Sequence, residues 1–277
     1  MKEFMYDINS FYIAGLLLVS LLLLIEAGYR IGLRANGSVN DAAASQIYSI
    51  QSSILGILAL LLAFTFSLAL QRYDTRSEAV VNEANAIGTA YLRVDLLPES
   101  VRNDIRQLMR DYLDKRIEAS AVTLANDAER ESLVAKASDT ANAIWKLAMQ
   151  AAAEDPGPVT TGLFIQAFNA ALDALGTRNA ELERHVPEPV LLLLYLTFML
   201  TGAIVGYASG VRGHRVAFAT YVMVGLIVVL VFTVVDLDRP RRGLIQIDQS
   251  SLRELQAQMM ASADAESMTI APVSNRQ

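Results

Sequence analysis

Four windows of the chain are almost purely apolar: Phe11–Ile25 (running on to Tyr29), Ile54–Leu70, Val190–Ala208 and Val216–Val235. A helix needs about 20 apolar residues to cross roughly 30 Å of hydrocarbon. The third and fourth windows meet that length directly. The first carries Glu26 in its last turn, and the second is lengthened by the polar helical run Ser45–Ser53. The pattern predicts an all-α integral membrane protein with four spans, at about 11–29, 47–70, 190–208 and 216–235. The first span does not read as a cleaved leader. MKEFMYDINS is not clearly basic, and IEAGYR lacks an Ala-x-Ala cleavage pattern.

Residues 71–187, between spans two and three, have another texture. They are rich in Ala, Glu, Asp, Arg and Leu and poor in glycine, a helical composition. The breaks fall at Leu97-Pro98-Glu99, Asn126-Asp127 and Asp155-Pro156-Gly157-Pro158, and Val186-Pro187-Glu188-Pro189 precedes span three. Helices are expected over about Ser100–Asn126, Ala128–Ala153 and Thr160–His185. Span two has no breaker before Pro98. Apolar or small residues recur at 70, 73, 77, 80, 84, 87, 91 and 94, the alternating spacing of a packed long helix. One helix of about 50 residues, roughly 75 Å long, should therefore run from the membrane into the soluble domain. The expected organisation is a membrane hairpin (1–70), a helical domain (71–187), a second hairpin (188–237) and a tail (238–277). The tail is expected to hold a short helix over Ile247–Met260 and a disordered end rich in small and polar residues.

Charge adds an orientation. Four spans place both termini and the helical domain on one side. Lys2, Arg72, Arg76, Arg184, Arg239, Arg241 and Arg242 lie near the membrane on that side, against Arg30, Arg34, Arg212 and Arg215 on the other. Seven against four favours the first side as cytoplasmic. The net charge is −6, and 13 Lys/Arg against 18 Asp/Glu put −5 of it in residues 71–187, which speaks against nucleic acid as a partner. There is no cysteine, and the two histidines, His185 and His214, are far apart. Disulfides, thiolate chemistry and a histidine metal site are not expected. No phosphate loop, His-Glu-x-x-His or Gly-x-Ser-x-Gly occurs, so no enzyme and no cofactor is expected. The acid pairs Glu181/Glu183 and Asp111/Asp114 read as solvated helix surface, and Trp145 as a core or interface residue.

Two features remain as candidate sites. One face of span two reads Ser45, Ser49, Ser52, Gly56, Ala59, Ala63 and Ser67. Such a stripe allows close helix packing, or it lines a pore with hydroxyls at one end and an apolar constriction beyond. Both readings stand at this point. The second feature is charge at the membrane boundaries. Glu26 and Arg30 have the spacing of a helix-surface ion pair. Arg72, Asp74, Arg76 and Glu78 follow span two, and Asp236, Asp238, Arg239, Arg241 and Arg242 follow span four, at the same boundary. Cross-pairing, for example Arg72 with Asp236, would fix span four against span two. Otherwise each arginine reaches to lipid headgroups.

AFTFSLALQRYDTRSEAVVNEANAIGTAYLRVDLLP (Ala63–Pro98) and DLDRPRRGLIQI (Asp236–Ile247) resemble the hallmark segments of bacterial bestrophin-like membrane proteins. The resemblance covers essentially the whole chain. It implies a location in the bacterial inner membrane. Through the more distant bestrophin channels it implies a homo-pentamer that conducts inorganic ions through a pore lined by the second membrane helix. Phe64 and Arg72 match the channels' motif in that helix, while Thr65, Phe66 and Leu70 replace its Arg, Asn and Tyr. Counting back by turns from Phe64 places the neck at Leu60 and Gly56, with Ser49, Ser52 and Ser53 as a hydrated mouth. Asp236 and Asp238 are all that stands for the channels' acidic calcium cluster, so no calcium site is carried over. The alternative, from another class, is a membrane-anchored helical scaffold or sensor in which the stripe is packing only.

Overall fold

The computed structural model describes residues 9–122, 127–239 and 244–270. Among these residues eight α-helices follow one another: α1 (Ser10–Ala35), α2 (Asp41–Arg93), α3 (Glu99–Ala121), α4 (Asp127–Glu154), α5 (Thr161–Glu183), α6 (Glu188–Val211), α7 (Phe218–Leu237) and α8 (Ser250–Ile270). Four of them, the parts of α1, α2, α6 and α7 built from the apolar windows, are long and apolar enough to cross a membrane. No strand occurs among the described residues. The long second helix is real: α2 has 53 residues, roughly 80 Å at 1.5 Å per residue, and a 3₁₀ turn at Val94–Leu96 ends it before Pro98. Proline punctuates as expected, with Pro98 and Pro187 at the N-caps of α3 and α6. The hairpin turns use Gly37 (φ 87°) and Gly213 (φ 66°), where a side chain would be strained.

The chain divides into two compact units. The membrane unit takes the residues up to Tyr73 together with Arg184–Gln246. The helical unit takes Asp74–Glu183 and the residues from Ile247 onward. The tail is therefore a helix that continues to Ile270 and belongs to the helical unit, with Leu252 and Met259 buried, rather than a short helix with a loose end. Of that end, residues 271–277 lie outside the described part.

The larger of the apolar clusters described in the membrane unit joins all four of its long helices. Leu17, Leu21 and Ile25 of α1 meet Leu58 and Leu62 of α2, Leu194 and Phe198 of α6, and Val224, Val231 and Val235 of α7. Lipid tails are as apolar as these side chains, so the helices associate by shape. The closest approach is α1 on α6. Gly28 and Gly32 face Gly202, Gly206 and Gly210, and at four of the five a Cβ would overlap backbone atoms of the opposing helix. Gly28 meets the Ala203 carbonyl, Gly32 that of Tyr207, Gly206 that of Ile25 and Gly210 that of Tyr29. Only glycine lets the backbones come this close. Ser20 Oγ and Tyr195 OH add a hydrogen bond of 2.8 Å across the same pair of helices.

In the helical unit, the α2 extension presents a buried face of Val80, Ala84, Ile87, Tyr91 and Val94, the expected seam. Leu70, placed on that seam by spacing, is exposed, and Ala69 is buried in its place. Trp145 packs beside Phe168, ring centroids 6.4 Å apart.

Candidate functional site

The first candidate is the stripe on span two. A helix turns 100° per residue, so Leu58, Leu62, Thr65 and Ala69, which are buried, lie opposite Ser49, Ser52, Ser53, Gly56, Leu60 and Phe64. All six of these are exposed, Leu60 at 55% and Phe64 at 60%. A Cβ on Gly56 would meet nothing within 4 Å. The stripe is therefore not packing within the chain, because the other spans sit on the opposite face of α2. The Ser49 and Ser53 hydroxyls donate to the carbonyls of Ser45 (3.1 Å) and Ser49 (2.9 Å), one turn back. With the proton so used, each oxygen turns its remaining lone pairs outward, as an acceptor.

The second candidate is the boundary cluster. Asp236 and Asp238, at the end of α7, are both buried. Asp238 Oδ2 accepts from the Val186 amide at 2.9 Å, on the stretch that leads into α6, and His185 Nδ1 lies 3.3 Å from the Asp238 carbonyl. Asp236 Oδ2 accepts from the Ile245 amide at 2.9 Å, where the chain leaves α7. Arg239, also buried, donates from Nη1 to Ser10 Oγ at 3.2 Å, at the start of α1. The two carboxylates thus hold backbone amides on the segment that enters α6 and on the one that leaves α7. The expected pair of Arg72 with Asp236 is not formed. Asp236 is turned onto Ile245, and Arg72 Nε is buried without a hydrogen bond. A backbone amide close in sequence costs little ordering entropy to reach, and it competes well with a long arginine side chain. Asp74 and Glu78 are exposed, and Arg76 is buried with Nε on the Glu181 carbonyl at 3.0 Å. Arg241 and Arg242 lie outside the described residues. On the far side of the membrane unit the Glu26–Arg30 pair forms as the spacing required, Nε to Oε1 2.8 Å and exposed. There Arg212 stacks over the Tyr48 ring at 4.4 Å.

The sequence reading missed a cluster in the helical unit. Glu83 of α2 is fully buried between Arg116 of α3 and Arg178 of α5. Burial pushes its carboxyl upward, and the two guanidinium charges with their hydrogen bonds more than offset that, holding it below the usual carboxylate range. Burial likewise raises Tyr112, beside them, to about 12. The signal was present: Arg76 and Glu83 fall on the buried side of the α2 seam, seven residues apart, where charge has no place unless it is paired. Glu181 is buried too, contrary to its expected place on a solvated surface. Among the described residues no group of three or more His, Cys, Asp or Glu is arranged to hold a metal ion.

A model of the Bestrophin-like domain family matches residues 21–252. Among solved structures, two point variants of a bacterial bestrophin homologue from Klebsiella pneumoniae are similar in fold. Their TM-scores are 0.62 and 0.64 at 14% identity, and they cover 89% and 88% of this chain and 98% of theirs. No curated protein matches the chain. At that identity the likeness shows the fold alone, whereas the domain match takes in the second part of the first span, the other three spans, both hallmark segments and most of the helical unit: the chain belongs to the Bestrophin-like family.

Proposed function

We propose that the protein is a homo-pentameric ion channel of the bacterial inner membrane, with both termini and the helical unit in the cytoplasm. One observation carries the reading: the α2 face of Ser49, Ser52, Ser53, Gly56, Leu60 and Phe64 is turned away from the chain's own spans. Several copies of α2 around an axis give that face a use. Family membership supports the same architecture. The serine end forms a hydrated mouth, and its outward lone pairs favour cations there, as does the negative charge of the helical domain. Leu60 and Phe64 form an apolar neck that conducts only when it is wide enough to hold water.

The first test is native mass spectrometry of the purified protein in mild detergent. A pentamer is expected, and a monomer or dimer supports the scaffold reading instead. In liposome flux assays, Phe64→Ala and Leu60→Ala should each raise cation flux severalfold by removing the dewetted barrier. Unchanged flux in both would remove α2 from the pore.

A further inference from the structure

The end of the membrane unit that carries the α1–α2 and α6–α7 turns holds more positive charge than the chain neutralises. Arg30, Arg34, Arg212 and Arg215 stand there against Glu26 and Asp41. Glu26 is taken up by Arg30. Among the described residues Arg34, Arg212 and Arg215 form no ion pair, and all three are exposed. Arginine does not give up its proton, so the surplus is permanent.

Two of these charges are held in place. Arg212 Cζ lies 4.4 Å from the ring centroid of Tyr48, and Arg215 Cζ lies 5.8 Å from that of Tyr29. The Tyr48 hydroxyl donates to the Ala208 carbonyl at 3.2 Å, and the Tyr29 carbonyl lies against Gly210. Both tyrosines therefore flank the last turn of α6, from which the two arginines emerge three residues apart. Between them Gly213 turns the chain at φ 66°, and His214 Nδ1 lies 2.8 Å from the Arg212 carbonyl. Asn36, two residues beyond Arg34, sits against Gly213, so the α1–α2 turn belongs to the same patch. A ring face orients a guanidinium without neutralising it, which leaves the charge for another partner. The depth names that partner. Tyr29 closes the first apolar window, and Arg215 stands directly before the fourth. Tyrosine and arginine at the edge of the hydrocarbon lie at the level of the lipid headgroups.

We propose that this end of the membrane unit binds the phosphodiester headgroups of anionic phospholipids, with Arg212 and Arg215 as the donors, Tyr48 and Tyr29 holding them in place, and Arg34 adding positive field. The inference rests on the four spans and not on the channel reading. The paired oxygens of a phosphodiester match the planar fork of a guanidinium, and the net negative charge offsets the surplus. A zwitterionic headgroup brings its own ammonium into the patch and binds less well. Free phosphate has the same oxygens, but exposed guanidinium groups hold a soluble ion weakly against salt, whereas lipid is confined at their depth.

The test compares the full-length protein with its Arg212→Gln/Arg215→Gln double variant in mixed micelles holding equal amounts of phosphatidylglycerol and phosphatidylcholine. Retained lipid is counted by native mass spectrometry. The wild type should retain phosphatidylglycerol in preference. The double variant's apparent affinity for it should fall about tenfold, with phosphatidylcholine retention unchanged. Arginines at the other boundary are the same in both proteins and cancel in the comparison. Tyr48→Leu keeps both charges and removes one ring, and its loss should be intermediate. Equal retention of the two lipids by the wild type, undiminished phosphatidylglycerol in the double variant, or a parallel loss of both lipids overturns the proposal. So does displacement of phosphatidylglycerol by millimolar inorganic phosphate, which would make the patch a site for the soluble ion.

Discussion

Gly56 of α2 and Gly206 of α6 are the same residue on apolar helices, in opposite surroundings. A Cβ on Gly206 would overlap the Ile25 carbonyl, and a Cβ on Gly56 would touch nothing. Both belong to stripes of small residues at helical spacing. The α1–α6 stripe is consumed inside the chain, where it lets two backbones touch. The α2 stripe is left for something outside the chain. A run of small residues thus identifies a surface where something comes close without saying what does, and the surrounding helices decide. Leu60 and Phe64 make the point more sharply, since two large apolar side chains on this face remain exposed.

The largest expected effect falls on the inner stripe. Gly206→Leu forces α1 and α6 apart and should cost about 3 kcal/mol, read as lost thermal stability of the purified protein. If Gly206→Leu is tolerated, the two glycines are not different in kind and the contrast fails.

Next comes the other feature used inside the chain, the Glu83 cluster. Its carboxyl titrates below the ordinary value of 4.5. The stability it contributes is therefore present above that value and is lost as the pH falls through the lower folded one. Tm should hold between pH 7 and 5 and drop below pH about 4, and Glu83→Gln should flatten that acid limb. An unchanged limb would show that the cluster is not carrying charge in the fold.

A smaller effect is expected at the boundary. Because Asp236 holds the Ile245 amide and not Arg72, the double-mutant cycle of Arg72→Leu and Asp236→Asn should give a coupling below about 0.5 kcal/mol. Strong coupling would restore the cross-pair. The smallest effect on stability belongs to the outer stripe. Gly56→Leu should change unfolding by less than about 0.5 kcal/mol while reducing ion flux. A loss of stability as large as that of Gly206→Leu would make α2's outward face a packing surface.

Much of the fold was legible in the sequence, because membranes and helices impose simple periods. Four apolar windows gave four spans, the unbroken run to Pro98 gave the long α2, and the proline clusters gave the starts of α3 and α6. The Glu26–Arg30 pair followed from spacing four residues apart on one helix. The Gly28/Gly32 and Gly202/Gly206/Gly210 seam was readable in principle, since both runs have the small-xxx-small spacing, but it drew no notice beside the longer serine stripe.

What the sequence alone determined is whatever depends on neighbours along the chain: which segments are helices, which are apolar enough for a membrane, and where they stop. Which faces meet was settled by packing between distant helices. Arg72 and Asp236 have the right charges at the right boundary, yet Asp236 is engaged by an amide nine residues on. Glu83 is joined to Arg178 over a separation of 95 residues and to Arg116 over 33. The physical reason is that helical period fixes a side chain's direction about its own axis, whereas burial and pairing depend on which other helix occupies that direction, and contacts so distant in sequence leave no local trace.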